Sequence, residues 1–150
     1  MPPSGLHVLQ TLHEDWQTVG TLVSEISAFR TDTLDCEDVE TLVVRLCARL
    51  YALSRVETEL LYPCLEQCPA LASGQQMHEE VVTRVQALLD AVVDQENIGA
   101  SLQVLTEQVR GLQQFEYREV YPHCADPGVD LMGEQMVKRR HQLLESFNTE

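Results

Sequence analysis

The chain has 150 residues, 44% hydrophobic and only 5% aromatic, which is enough for one domain with a proper core built mainly of Leu and Val. Its formal net charge of −14, from 24 acidic residues against 10 Lys and Arg, repels phosphate backbones and excludes nucleic acid as an expected partner. No apolar run approaches the ~20 residues of a membrane span, and Met1-Pro2-Pro3-Ser4-Gly5 lacks the basic and apolar parts of a signal peptide.

The expectation is therefore a single domain over 1–150, with residues 1–5 as a flexible tail, in the cytoplasm. Leu9, Leu12, Trp16, Val19, Val23 and Ile26 recur at helical spacing and predict a first helix. Asp32, Asp35 and Asp38 crowd the connection after it. Leu42, Leu46, Leu50, Leu53 and Leu60 predict a second helix, closed by Pro63. A loop with Pro69, Ser73 and Gly74 comes next, and Ser73 with Gln76 has the spacing of a capping box for a third helix. That helix carries Val81, Val82, Val85, Leu88, Leu89 and Val92. After a break at Asn97-Ile98-Gly99, the residues Leu102, Leu105, Val109, Leu112 and Phe115 predict a fourth, closed by Pro122. Asp126-Pro127-Gly128 signals a turn, and Val129 to about Phe147 reads as a shorter fifth helix with Met132, Met136, Leu143 and Leu144 turned inward. Connections this short favour antiparallel neighbours. The expected fold class is all-α, an up-down-up-down four-helix bundle with a short fifth C-terminal helix.

Two groups of residues receive a plain structural reading. Lys138-Arg139-Arg140-His141 is expected on a solvated helix face. The five cysteines, Cys36, Cys47, Cys64, Cys68 and Cys124, lack zinc-type spacing and read as reduced thiols packed as small hydrophobes, with a redox pair of Cys64 and Cys68 left open.

A weak internal repeat runs through the chain. Leu12-His13-Glu14-Asp15 resembles Met77-His78-Glu79-Glu80, and Glu57 before Tyr62-Pro63 resembles Glu116 before Tyr121-Pro122. The two helical hairpins read as copies of one unit. Polar residues interrupt the apolar stripes at corresponding places: His13 beside Leu9, Leu12 and Trp16; Glu57 after Leu46, Leu50 and Leu53; His78 before Val81, Val82 and Val85; Glu116 after Leu105, Val109 and Leu112. Early positions on odd helices and late positions on even ones share one end of such a bundle, so the four groups are expected to converge. Buried carboxylates need a partner. Protonated imidazoles would supply one, giving a purely structural cluster; a divalent cation such as iron, manganese or zinc would supply the other.

These residues resemble the hemerythrin-like (HHE cation-binding) domains. The family's pattern is a His on helix one and His-x-x-x-Glu before Tyr/Phe-Pro on helix two, repeated on helices three and four. The likeness spans about Leu6 to Leu144 and includes Met136-Val137-Lys138-Arg139-Arg140, similar to the family's Met-x-x-Arg-Arg ending. The resemblance implies metal ligands at His13, Glu57, His78 and Glu116, the two glutamates matching those that bridge two irons. The His of each His-x-x-x-Glu is replaced by Leu53 and Leu112. Four ligands then remain where at least six would be expected, so reversible dioxygen binding at a full di-iron centre is not expected. Gln17, Glu59, Glu80 and Glu119 lie near in sequence, with Glu59 and Glu119 expected at the surface or behind the ligands. Tyr62 and Tyr121 are expected as pocket walls, and His7, His123 and His141 fall outside the pattern.

Three functions follow as expectations. The first is a metal-binding protein whose depleted site, two histidines and two glutamates, holds one or two ions, iron before manganese or zinc. It would serve sensing, storage or redox response to oxygen or nitrogen oxides, with a small diatomic ligand as its partner. The second is heme binding, with His13 and His78 as axial ligands and Leu53 and Leu112 lining the pocket. The third is a metal-free regulatory or interaction module, with Arg55, protonation or water satisfying the glutamates. Hydrolysis is the least expected class, since the sequence has no nucleophile-elbow, phosphate-loop or His-Glu-x-x-His motif, and an enzyme is less expected than a binder.

Overall fold

Each apolar stripe becomes the buried face of one helix. The computed structural model describes residues 6–28, 37–125 and 132–148. The tail 1–5, the connection with Asp32, Asp35 and Cys36, and the Asp126-Pro127-Gly128 turn with Val129 lie outside the described residues, as does the side chain of His7. Every regular element among the described residues is helical: α1 (Leu6–Ser27), α2 (Glu37–Val56), α3 (Leu71–Asp94), α4 (Ile98–Phe115) and α5 (Met132–Asn148). α1 packs on α2, α2 on α3, and α3 on α4, while α5 lies against α1 and α2. None of these helices is long and apolar enough to cross a membrane.

One core runs through all five. Val8, Leu12, Trp16, Val19 and Ile26 enter it from α1, and Val39, Val43, Leu46, Leu50 and Leu53 from α2. Val81, Val85 and Leu88 enter from α3, Leu105, Val109 and Leu112 from α4, and Met136 and Leu143 from α5. Full burial of each large aliphatic side chain contributes about 1.5–3 kcal/mol against conformational entropy. α3 ends on Gln95 at φ 56°, its N–H turned back to the Val92 and Ala91 carbonyls, and Asn97 at φ 58° starts α4. Two left-handed residues so close together reverse the chain at once, which lays α4 back along α3.

The structure corrects two expectations. α3 begins at Leu71, directly behind Pro69 and Ala70, so Ser73 sits inside its first turn and makes no cap. The basic cluster on α5 is not simply a solvated face. Arg140 pairs with Asp15 on α1 at 2.5 Å, and Arg139 with Glu59 at 3.0 Å; Lys138 and His141 alone of the four are exposed. The reason is Asp15, which is buried and draws a cation from the facing helix.

Candidate metal centre

The second and fourth helices do not end as α-helices. At Glu57 the chain widens into a π-helical turn, Glu57–Leu61, and then tightens into a 3-10 turn, Tyr62–Cys64. At Glu116 the same happens: a π turn over Glu116–Val120, then a 3-10 turn over Tyr121–Ala125. The N–H of Tyr62 bonds to the carbonyl of Glu57, and that of Tyr121 to Glu116, each five residues back. In an α-helix residues five apart point about 140° away from each other. A π turn brings them to one face, so each glutamate and the tyrosine of its own Tyr-Pro look into the same interior.

The two repeats then interlock. Tyr62 donates its hydroxyl hydrogen to Glu116 Oε2 at 2.9 Å, while Tyr121 faces Glu57 Oε1 at 3.1 Å and Glu116 Oε1 at 3.3 Å. Tyr121 in turn accepts from the Trp16 indole N–H at 2.7 Å, and Tyr62 lies edge-on to the His78 ring. Each tyrosine thus meets a ring from an odd-numbered helix, His78 in one half and Trp16 in the other. Gly74 on α3 makes room for this: a Cβ there would collide with the Tyr62 hydroxyl.

Glu57, His78 and Glu116 meet in the middle, at 0%, 1% and 0% exposure. One ligand atom of each lies within 4.8 Å of the others. His78 Nε2 is 3.2 Å from Glu116 Oε2 and 3.7 Å from Glu57 Oε2. Ligands about 2.1 Å from a tetrahedral cation stand ~3.4 Å apart, between these two values. Ser54 Oγ holds His78 Nδ1 at 2.8 Å, which keeps the ring turned so that Nε2 faces the carboxylates. Glu57 Oε2 is buried and has no hydrogen-bond partner among the described residues. A cleft of about 330 Å³ lined by Ser54, Arg55, Thr58, His78 and Val82 reaches the imidazole from outside; a wider one beside Gln17 and Arg45 does not touch the group.

Electrostatics make the cluster costly without a counter-charge. Burial pushes the Glu57 carboxyl well above the usual carboxylate range, and the neighbouring Glu116 adds to it; the Tyr121 hydroxyl works in the opposite direction. The phenols of Tyr62 and Tyr121 are likewise driven upward by burial and by the two carboxylates, so both stay protonated donors. Of the cation types, iron, manganese and zinc accept this oxygen and nitrogen set.

Three of the four expected ligands converge and one does not. His13 is exposed, and its Nδ1 lies 3.1 Å from the Tyr117 hydroxyl instead of at the carboxylates. The buried face of α1 runs Val8, Leu12, Asp15, Trp16 and Val19. Position 13 is about 100° round the helix from Leu12, and Asp15 with Trp16 fills the inward side at that level. Leu53 and Leu112 are buried at 2% and 1%, so almost none of either surface is open even to water. Both belong to the packed core, and His13 lies at the surface, apart from the buried His78. Arg55 pairs with Glu59 rather than Glu57, Glu119 is exposed beside Arg118, and Gln17 and Glu80 are exposed as well.

Sequence reasoning missed Ser54, Asp15 and the site role of Trp16. Ser54 had a signal: it lies three residues before Glu57 on the face of Cys47, Leu50 and Leu61. Among the described residues Cys47, Cys64, Cys68 and Cys124 are free thiols. Burial pushes the Cys47 and Cys124 thiols up to about 12, where they are inert. No family model, curated protein or solved structure matches the chain.

Proposed function

We propose that the chain is a hemerythrin-like, up-down-up-down four-helix bundle with a fifth C-terminal helix, and that it binds one divalent cation between Glu57, His78 and Glu116. The observation that carries this reading is Glu57 Oε2, a fully buried carboxylate oxygen without a hydrogen-bond partner among the described residues, 3.7 Å from an imidazole nitrogen already oriented by Ser54. Two carboxylates and one neutral imidazole offset the charge of a divalent ion and leave positions open for water or a small diatomic molecule. Iron fits the set, with manganese and zinc as competitors. The role we assign is sensing, storage or redox response to oxygen or nitrogen oxides rather than hydrolysis, and free thiols support a cytoplasmic location.

Elemental analysis after reconstitution with iron, manganese and zinc in turn tests this. The expected result is one ion per chain, lost in His78→Ala and Glu116→Gln while helical content stays. Less than about a tenth of an ion per chain with all three metals overturns it. A second reading has its own support. The raised Glu57 carboxyl can hold a proton against Glu116, closing the cluster as a metal-free pair with one negative charge instead of two, and that is the reading such a result would favour.

A further inference from the structure

From the buried carboxylates a chain of aromatic groups leads to the surface on the side of α1. Tyr121 holds Glu57 Oε1 and Glu116 Oε1, the oxygens turned away from His78. Its ring meets that of Tyr117 edge-on, with centroids 4.9 Å apart. Tyr117 is 41% exposed, and its hydroxyl lies 3.1 Å from Nδ1 of the exposed His13. The contact between the two tyrosines is ring to ring, with no hydrogen bond joining their oxygens among those described. Such a junction conducts electrons and not protons. At the outer end the arrangement is reversed: a phenol faces an imidazole nitrogen that takes its proton when Nε2 carries the ring hydrogen.

We propose that Tyr121 and Tyr117 form a one-electron conduit between a redox-active cation at Glu57, His78 and Glu116 and small electron carriers in solvent, with His13 as the proton acceptor of Tyr117. The inner terminus rests on the cation reading given above; the outer pair does not. When Tyr117 gives one electron inward to an oxidised cation, its O–H bond breaks and the proton moves to His13 Nδ1. A one-electron reductant of the ascorbate class then returns an electron to the phenoxyl, His13 returns the proton, and both side chains are restored. The net change is one electron moved from reductant to cation. This assigns roles to the exposed His13 and Tyr117, which the ligand cluster leaves unused.

The test begins on metal-free protein. Azide radicals generated by pulse radiolysis remove one electron from tyrosine or tryptophan, and the phenoxyl is followed by absorbance and by electron paramagnetic resonance of frozen samples. The hole is expected to settle on Tyr117, so that Tyr117→Phe loses or alters the signal and His13→Leu forms it at least about tenfold more slowly. Equal phenoxyl yield, spectrum and rate in the three proteins would overturn the proposal. A second arm uses ferric-loaded protein with iron content measured in every sample, reduced by ascorbate. Tyr117→Phe is expected to be reduced at least about tenfold more slowly at unchanged iron content. Iron uptake with equal reduction rates sinks the conduit alone, whereas failure of the wild type to take up iron sinks the cation reading and the conduit's inner terminus with it.

Discussion

Changing Gly74 to Ala inverts an ordinary expectation. Within a helix, Gly→Ala stabilises by up to about 1 kcal/mol through backbone entropy. At position 74 the added methyl would run into the Tyr62 hydroxyl, with the ring carbons Cζ and Cε2 at 3.0 and 3.1 Å behind it. Tyr62 is buried and cannot step aside without releasing Glu116 Oε2. Overpacking costs about 1–3 kcal/mol, and the lost hydrogen bond to a carboxylate about 1.5–3 kcal/mol. Allowing for partial relaxation and the propensity gain, the net loss is about 2 kcal/mol, or about 4–8 °C in Tm for a chain of this size. Urea and thermal unfolding of four proteins read it: wild type, Gly74→Ala, Tyr62→Phe and the double variant. In the Tyr62→Phe background the colliding oxygen is gone, and Gly74→Ala should cost less than half as much. A Gly74→Ala protein more stable than wild type, or the same loss in both backgrounds, would refute the reasoning.

Glu57 supplies a pH prediction. Its carboxyl is raised in the folded protein, so its neutral form is the one that suits the fold: its contribution is greatest below about 4.5 and is lost as pH climbs toward the raised value. Metal-free Glu57→Gln should therefore gain stability over wild type as pH rises from 4.5 to neutrality; parallel stability curves would refute this. Ser54→Ala leaves His78 Nδ1 unpaired and should weaken cation binding about 10–100-fold, measured by competition with a chelator, while helical content stays. Arg140→Met leaves the buried Asp15 carboxylate with Arg49, at 3.9 Å, as its cation among the described residues, and should cost about 3 kcal/mol; a change below about 0.5 kcal/mol would show that α5 docks without the pair. A cation at a hundred times its Kd should stabilise by about 2.7 kcal/mol, seen as a Tm rise of about 5–10 °C that a chelator reverses.

Periodicity alone made the helices legible, because the buried residues of α1 to α5 are the apolar ones at three- and four-residue spacing. It also found Glu57, His78 and Glu116, since a charged group on an apolar stripe has few places to go. It failed at His13 for a geometric reason: neighbouring positions on a helix differ by about 100°, and a pattern of leucines does not say which side of Leu12 is buried. Trp16 was read as core and is core, but its N–H also meets Tyr121. The π turns were in view without being recognised. Glu57 to Tyr62 and Glu116 to Tyr121 are both five-residue steps, which an α-helix would send to different faces and which the two repeats share. Asp15 could be told from a surface acid only through Arg140, 125 positions away.

The doubled π turn also fixes a spacing. One residue inserted into an α-helix is accommodated as such a bulge, and here the same bulge stands at the same distance before both Tyr-Pro pairs. Removing one residue from each turn, at Thr58 and at Tyr117, would leave each glutamate four residues before its tyrosine, a step that an unbroken α-helix keeps on one face. Each π turn thus lets a five-residue step do what a four-residue step does in an α-helix.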